Sequence, residues 1–210
     1  MKRGLFISVE GIEGVGKSTN IEFVERYLTE AGKTVLVTRE PGGTELAEKL
    51  RDLVLNPQLE VSALTELLLV FAGRADHVTK KIRPAVEQGT FVICDRFTDA
   101  SLAYQGGGRG IDRELIYQLA AVCHGDLWPD LTLLLDAPEA DALKRAHSRS
   151  EPDRFEQESQ AFFQRVRQAY LELATTHPNR IQIIDASQSL SEVQTALTKT
   201  LDQVLGDIHE

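Results

Sequence analysis

The chain has 210 residues and a mass of 23.3 kDa, a size that suits one compact domain with a sizeable core. Hydrophobic residues make up 42% of the sequence and charged residues 26%, which excludes disordered, collagen-like and membrane-embedded classes. A formal charge of -9 argues against a general binder of nucleic acid, because such proteins usually carry a basic face.

The cysteines and the apolar runs indicate a reduced, cytoplasmic setting. Cys94 and Cys123 lack the spacing of a disulfide framework or a zinc site. The apolar stretch near the N-terminus is shorter than the roughly 7–15 residues of a signal-peptide core. Since no run approaches the roughly 18 residues of a membrane span, no membrane partner is expected either.

Five short apolar runs, rich in β-branched residues, recur along the chain and predict five strands. They lie at 5–9, 34–38, 90–94, 131–135 and 181–185, and stretches with helical spacing separate them. Runs that are apolar at nearly every position indicate strands covered on both faces, and alternation with helices indicates right-handed crossovers on a parallel sheet. The predicted fold class is α/β, a three-layer sandwich forming a single domain over residues 1–210.

The first predicted strand leads into GIEGVGKST at 11–19, which satisfies the phosphate-loop pattern G-x-x-x-x-G-K-[ST]. Glycines let the backbone N–H groups of such a loop point inward, and the following helix adds its positive end, so the loop surrounds a phosphate chain. Lys17 is expected to contact the β- and γ-phosphates of ATP, and Ser18 to hold Mg²⁺. The residues expected to bind ATP here are Gly11, Ile12, Glu13, Gly14, Val15, Gly16, Lys17, Ser18 and Thr19.

Two amphipathic helices are predicted between the second and third strands. In the first, at 46–55, Leu46, Leu50, Leu53 and Val54 are expected to face inward. The second covers 62–87 and is expected to bend or end near Pro84, since proline lacks a backbone donor. Its apolar stripe contains Leu64, Leu67, Leu68, Phe71, Ala75, Val78, Ile82 and Ala85.

Charged residues follow every predicted strand, where parallel sheets bind their ligands. They include Glu10, Arg39, Asp95 and Asp136. Asp95 is expected to orient Mg²⁺ or an arginine. After the third strand, a short helix is predicted to carry Ser101, Tyr104 and Gln105, followed by a mobile glycine run.

Four motifs together resemble the bacterial thymidylate kinase family, over about residues 5 to 184. They are EGIEGVGKST at 10–19, TREPGGT at 38–44, FAGRADH at 71–77 and DRFTDASLAYQGGGRG at 95–110. The resemblance implies a P-loop kinase fold with strand order 2-3-1-4-5, a homodimer, and direct in-line transfer of a phosphoryl group from Mg-ATP to dTMP, which gives dTDP for dTTP synthesis.

The same resemblance assigns the acceptor side. It implies that Arg39, Arg51 and Arg96 surround the dTMP phosphate, which suits guanidinium forks because they match phosphate oxygens. Arg74 is implied to bind the base carbonyl, and Ser101 and Gln105 the rest of the base edge. The resemblance further implies that Tyr104 excludes a 2′-hydroxyl and that Glu13 binds the 3′-hydroxyl or a nearby water and metal. It also implies that Phe71 stacks on thymine, although simple packing of Phe71 in the core is an equal alternative.

Basic residues are concentrated at 143–159, in a chain that is otherwise acidic. A solvated charged helix is the usual explanation of such a run. The resemblance implies instead a lid at about 143–156 that closes over ATP, with Arg149 as the first choice for stabilising the transferring phosphoryl group and Arg145 and Arg154 as seconds. The residues expected to take part in catalysis are Lys17, Arg96, Arg149 and Glu13.

Two other functions remain open at this stage. The chain can be a kinase of the same architecture with a different acceptor, such as another nucleoside monophosphate or a deoxynucleoside. It can also be a nucleotide-dependent switch or scaffold. The absence of an N-K-x-D guanine-binding motif and the density of acceptor-side motifs favour a small-molecule kinase.

Overall fold

The computed structural model describes residues 3–146 and 154–209. Five parallel strands form one sheet in the order β2-β3-β1-β4-β5, so the predicted fold and strand order are confirmed. Each strand begins and ends within one residue of its prediction. The strands are β1 Phe6–Glu10, β2 Val35–Arg39, β3 Phe91–Asp95, β4 Leu131–Asp136 and β5 Ile181–Asp185.

Helices cover both faces of the sheet, and several begin at a side-chain cap. The hydroxyl groups of Thr44, Ser62 and Ser159 accept hydrogen bonds from the backbone of the first turn that follows each of them. Within residues 3–146 and 154–209, no helix combines the length and apolar character needed to cross a membrane. The helices are α1 Lys17–Glu30, α2 Glu45–Leu55, α3 Ala63–His77, α4 Arg83–Glu87, α5 Thr98–Ser101, α6 Arg113–Cys123, α7 Glu139–Ala146, α8 Gln160–Thr176 and α9 Leu190–His209.

The register of the central strands brings the charged residues together at one edge of the sheet. Val9 of β1 lies beside Asp95 of β3, and Asp95 lies beside Arg39 of β2. All five residues of β1 are buried, which agrees with its continuous apolar run. The candidate site therefore forms where β1, β2 and β3 end.

The predicted helix at 62–87 is interrupted by a π-helical turn, Val78–Ile82, between α3 and α4. There the N–H of Arg83 donates to the carbonyl of Val78, five residues back instead of four. Because Pro84 has no N–H and its ring crowds the preceding turn, the wider turn accommodates the proline without ending the helical path. The predicted bend is thus a change of helix type.

Four leucines that were predicted to face inward are substantially exposed, and those predictions were wrong. Leu46 and Leu53 on α2 are 48% and 45% exposed, and Leu64 and Leu68 on α3 are 51% and 49% exposed. Other members of the predicted faces, Val54, Leu67 and Phe71, are buried together with Ala47, so only part of each predicted face is covered. Helical periodicity identifies an apolar face without saying what covers it.

The glycine run was predicted to be mobile, but it belongs to a second π-helical segment, Leu102–Gly108, packed against α8. A Cβ atom on Gly107 would lie 2.6 Å from the Cβ of Ala169. The glycines thus serve the close approach of two helices. This segment carries Tyr104 and Gln105, so the contact with α8 determines where these two side chains lie.

Candidate active site

The P-loop connects β1 to α1, and its glycines at 11, 14 and 16 have positive φ. Gly11 has φ +135°, and a Cβ atom at this position would lie 2.4 Å from the carbonyl oxygen of Leu135. Ile12 and Val15 are buried in the core, which holds the loop against the sheet. The ammonium group of Lys17 donates to the carbonyls of Gly11 and Ile12, each at 3.3 Å, and so lies across the loop.

The electrostatic surroundings of Lys17 suit an anionic ligand. Burial and then the positive charge of Arg96 lower its pKa, while the nearby carboxylates Asp95 and Glu13 oppose that shift. An added phosphate would favour the charged ammonium form. The loop therefore gains electrostatically from binding a phosphate chain.

A cavity of about 220 Å³ lies beside the P-loop, beyond the ends of β2 and β3. Most of the residues predicted for the acceptor side line this cavity, although they come from six different parts of the chain. These residues are Glu13, Arg39, Arg51, Arg74, Arg96, Ser101, Tyr104 and Gln105. Lys17 and Asp95, which were predicted for ATP and Mg²⁺, also line the cavity.

Three arginines contribute the positive charge of this cavity. Arg96 follows β3 with φ +71°, in the left-handed region that a non-glycine residue rarely adopts, and such strain is found mainly at functional sites. Arg39 pairs with Glu48 at 2.8 Å, and Arg51 donates to the carbonyl of Pro41 at 2.8 Å. The structure therefore brings together the three residues predicted to bind a phosphate.

Glu13 of the P-loop points into the cavity and away from the loop itself. One carboxylate oxygen accepts from Arg96 Nη2 at 2.8 Å, and the other accepts from the hydroxyl of Tyr104 at 2.7 Å. The Arg96 guanidinium also lies 4.6 Å from the centre of the Tyr104 ring. Glu13 therefore contacts two of the residues that were predicted for the acceptor side, Arg96 and Tyr104.

Arg74 is fully enclosed, and every group of its guanidinium has a partner. Nε donates to Glu40 at 2.6 Å, Nη1 donates to Ser101 at 3.1 Å, and Nη2 donates to the carbonyl of Phe97 at 3.1 Å. The rings of Phe71 and Phe97 lie beneath it, at 4.4 and 5.2 Å. These contacts hold Arg74 in one orientation at the wall of the cavity.

Glu40, which sequence reasoning did not assign to the site, is the counter-ion of Arg74. Its Oε1 also forms a hydrogen bond with His77 Nδ1, at 3.0 Å. The other ring nitrogen of His77, Nε2, lies 2.7 Å from the hydroxyl of Thr38. Burial is the largest single effect on Glu40 and opposes its ionisation, but the charge of Arg74 and the contacts with His77 together outweigh burial and lower the pKa of the carboxyl. The sequence signal was the position of Glu40, directly after Arg39 at a strand end.

Phe71 does not line the cavity. Its side chain is buried in the core, and its ring packs under Arg74, whereas Val70 forms part of the cavity wall. The side chain of Val70 points to the cavity because α3 turns by about 100° per residue. The alternative of core packing describes Phe71 in this structure, and stacking on a base does not.

Gln105 is bound to a second carboxylate that the sequence did not reveal, Glu66 of α3. Gln105 Nε2 donates to Glu66 at 2.8 Å, and Arg109 and Arg154 also donate to the same carboxylate. Arg154 was predicted to bind ATP, but here its guanidinium is engaged by Glu66 and by the carbonyl of Val54. The sequence did contain a signal for Glu66: it is acidic and lies eight positions before Arg74, which places both residues on the same helix face.

Of the other predicted lid residues, Arg145 is near the end of α7. Its Nη1 donates to the carbonyl of Ala186, just after β5, at 3.4 Å. Arg149 lies outside the described residues.

Asp95 and Ser18 are the two residues predicted to hold a metal ion, and they lie close enough to line one depression. Oδ1 of Asp95 is buried and has no hydrogen-bond partner among the described residues. A carboxylate and a hydroxyl are the oxygen ligands that Mg²⁺ accepts. The residues present therefore fit the predicted ion.

Two buried residues that do not line the cavity, Glu10 and Tyr170, contact residues that do. Glu10 was noted from the sequence only as a charge at a strand end, and Tyr170 was not predicted. Glu10 accepts from the N–H of Phe97 and from the hydroxyl of Tyr170, both at 2.7 Å, and Arg96 Nη1 approaches that hydroxyl at 3.4 Å. Burial and then the charge of Asp99 raise the pKa of Glu10 to about 8. No local pattern connects Glu10 to Tyr170, which follows 160 residues later.

Comparisons with known proteins agree with this geometry. A family model for thymidylate kinase matches residues 9–197. The chain is 54% identical to a thymidylate kinase of Pseudomonas syringae pv. tomato and 55% identical to one of Pseudomonas putida, over 96% of this chain and 97% of each relative. A crystal structure of thymidylate kinase from Ehrlichia chaffeensis, 35% identical, superposes with a TM-score of 0.78 over 95% of this chain and 99% of the other. The chain therefore belongs to the thymidylate kinase family.

Proposed function

We propose that the protein transfers the γ-phosphoryl group of ATP to dTMP and forms dTDP for dTTP synthesis. The observation that carries the proposal is the cavity beside the P-loop. Its lining combines Lys17 and three arginines with a second group, Arg74, Ser101 and Gln105, that can hydrogen-bond a base. This arrangement suits a molecule with a phosphate at one end and a hydrogen-bonding base at the other. Membership of the thymidylate kinase family supports the same substrate.

Each part of dTMP has a matching group in the proposed complex. Arg39, Arg51 and Arg96 bind its phosphate, and their charge offsets the repulsion between two anionic substrates. Glu13 accepts a hydrogen bond from the 3′-hydroxyl, and the Tyr104 ring occupies the space that a 2′-hydroxyl needs. Arg74 donates to a base carbonyl, with Ser101 and Gln105 at the remaining edge, and Val70 and Phe97 contribute apolar surface.

ATP binds to the P-loop at 11–19 in this proposal, with Lys17 on its β- and γ-phosphates. Arg149 and Arg145 of the lid, at about 143–156, stabilise charge on the transferring group. Arg154 is assigned to the acceptor side instead, because its guanidinium contacts Glu66. Transfer is direct and in line, since positioning and charge stabilisation supply the catalysis without a covalent enzyme intermediate.

Ser18 and Asp95 are proposed to hold Mg²⁺. When bound, the ion neutralises charge on the phosphate oxygens and orients them.

A coupled assay across five acceptors tests the proposal. The purified chain is given ATP and, in turn, dTMP, dUMP, dCMP, dGMP and AMP, and production of ADP is measured. We expect dTMP to give the highest kcat/KM. Preference for another acceptor would show a kinase of different specificity, and ATP hydrolysis unaffected by any monophosphate would indicate a switch or scaffold.

The remaining parts of the proposal concern the partner and the setting. We propose a homodimer that acts in the cytoplasm as one kinase domain over residues 1–210, with neither nucleic acid nor membrane as a partner. Exposed apolar side chains on three neighbouring helices, namely Leu64 and Leu68 of α3, Leu46 of α2 and Val122 of α6, support a protein interface there. Light scattering of the wild-type chain and of Leu68→Glu tests it, since a charge at the interface should give a monomer.

A further inference from the structure

Glu66 is a buried carboxylate whose contacts reach the acceptor cavity through one other side chain. It lies on α3 with no solvent-exposed surface, and α3 also carries Val70 and Arg74 of the cavity wall. Its Oε1 accepts from Gln105 Nε2 at 2.8 Å. Glu66 itself does not line the cavity, so any effect on a ligand must pass through Gln105.

The other partners of Glu66 are cations. Arg109 donates from Nη2 to Oε2 at 3.0 Å, and Arg154 donates from Nη2 to the same oxygen at 2.6 Å. Arg109 Nε contacts both oxygens, at 3.3 and 3.2 Å. Because guanidinium groups only donate, the carboxylate between them acts only as an acceptor.

This acceptor determines which end of the Gln105 amide can face Glu66. A glutamine side chain has one donor end, its NH₂ group, and one acceptor end, its carbonyl oxygen. The reversed amide would place two acceptor oxygens together in a buried environment, which costs the desolvation of both. The NH₂ group therefore faces Glu66, and the carbonyl oxygen is the end left for a ligand in the cavity.

A fixed acceptor in the same cavity as the fixed donor Arg74 creates a hydrogen-bonding pattern. Thymine and uracil present a carbonyl oxygen next to a ring N–H. The carbonyl oxygen matches the donor Arg74, and the N–H matches the acceptor oxygen of Gln105. Cytosine presents an amino group next to an unprotonated ring nitrogen, which is the opposite pattern. Leaving buried polar groups mismatched is the effective way to reject a ligand of the same shape.

We propose that Glu66 is a positioning residue that fixes Gln105 as an acceptor and thereby makes the site select a thymine-like base against cytosine. Glu66 touches no substrate, and Arg109 and Arg154 keep its carboxylate an acceptor. The inference rests on the proposed function, because it takes the base of a pyrimidine monophosphate to lie against Gln105.

The experiment compares Glu66→Gln with the wild type, using both dTMP and dCMP as acceptors. A glutamine at 66 can present either end of its amide, so Gln105 loses its fixed orientation. We expect the ratio of kcat/KM for dTMP to kcat/KM for dCMP to fall roughly three- to tenfold, the worth of one hydrogen bond. Inhibition by dCMP should strengthen correspondingly, whereas the KM for ATP should not change.

Glu158→Gln is the matched control. Glu158 forms an ion pair with Arg109 in the same cluster, so this variant also removes one negative charge while the Glu66–Gln105 hydrogen bond remains. We expect its dTMP-to-dCMP ratio to equal that of the wild type. An equal fall of the ratio in both variants would show a general effect of charge and overturn the proposal.

An unchanged ratio in folded Glu66→Gln would also overturn it. If that variant does not fold, Glu66→Asp keeps the charge and withdraws the oxygens from Gln105 by one methylene group, and a wild-type ratio there would have the same meaning. Failure of the wild type itself to phosphorylate dTMP would reject the proposed function instead, so the two failures are distinguishable.

Discussion

Arg96 and Glu13 form an ion pair at the centre of the cavity, with Nη2 and Oε1 2.8 Å apart. The two residues come from the ends of neighbouring strands, since Arg96 follows β3 and Glu13 follows β1. The pair connects an acidic P-loop residue to Arg96 in the cavity that Lys17 also lines. In the proposed complex, the phosphate of dTMP becomes the second anion on Arg96.

Replacing Arg96 by alanine should nearly abolish phosphoryl transfer. The change removes charge-assisted hydrogen bonds worth about 1.5–3 kcal/mol each, so we expect kcat/KM for dTMP to fall by at least about 100-fold. Steady-state kinetics measure this, and calorimetric titration of ATP should give nearly wild-type affinity. Arg96→Lys retains the charge without the planar fork and should lose less. Undiminished turnover in Arg96→Ala would refute the acceptor assignment.

Replacing Glu13 by alanine should weaken the use of dTMP more than the binding of ATP. Glu13 holds Arg96 and the hydroxyl of Tyr104, and it is the proposed acceptor for the sugar 3′-hydroxyl. We expect the KM for dTMP to rise roughly tenfold, as for a lost hydrogen bond to a charged group. Glu13→Gln keeps an acceptor oxygen, so its KM for dTMP should lie between those of the wild type and Glu13→Ala. A rise in the KM for ATP alone would contradict this role.

Shortening Tyr104 should relax the preference for a deoxyribose. Its ring packs edge-on against Phe155, Phe162 and Tyr170, so it cannot turn aside for a larger sugar. In Tyr104→Leu, we expect the preference for dTMP over ribothymidine 5′-monophosphate to fall by about tenfold, the low end of steric discrimination by a pocket. Tyr104→Phe keeps the ring and serves as the control. Equal loss of preference in both variants would show that the hydroxyl, not the ring, discriminates.

Removing Glu40 should destabilise the protein through Arg74. Their side chains are 3% and 1% exposed, so Glu40→Ala leaves a buried guanidinium without its counter-ion. Such a loss costs about 3–5 kcal/mol, which urea unfolding measures as a lower free energy of unfolding. The KM for dTMP should also rise, because Arg74 loses its orientation.

Glu45→Ala is the matched control for Glu40. It breaks the exposed ion pair of Glu45 with Lys49 and should change the free energy of unfolding by less than about 1 kcal/mol. Equal stability of Glu40→Ala and Glu45→Ala would mean that Arg74 finds another partner.

Glu10 should make stability depend on pH. Its pKa is raised to about 8 in the folded state from an ordinary value of 4.5, so between these values the folded state holds a proton that the unfolded state releases. The stabilising contribution is present below pH 4.5 and is lost as the pH rises through 8. Relative to Glu10→Gln, the free energy of unfolding of the metal-free wild type should fall by up to about 1.4 kcal/mol per pH unit in this window. Parallel pH profiles of the two proteins would contradict the raised pKa of Glu10.

The strands and the P-loop were predictable because their signals are local. A buried parallel strand must be apolar at nearly every position, and each of the five runs became a strand within one residue. A phosphate loop likewise needs particular residues at fixed spacing, and GIEGVGKST has them between a strand and a helix. The resemblance added the arginines of the acceptor side, which the structure brings into one cavity.

Tertiary packing decided which face of each helix is covered and which residues act as partners. Periodicity showed that α2 and α3 are amphipathic, but Leu46 and Leu64 are exposed because packing covers only part of each apolar face. The same packing turned Val70, instead of Phe71, toward the cavity.

The buried carboxylates are the clearest case of what the sequence by itself could not determine. The sequence determined that an α/β fold with a P-loop motif would form, and the resemblance picked out three arginines that share one cavity. Only the tertiary structure decided that Glu66 would meet Gln105, 39 residues away, and that Glu10 would meet Tyr170, 160 residues away. Strand and turn signals act over a few residues, whereas the cost of burying a charge is relieved by whichever partner the fold brings within hydrogen-bond distance.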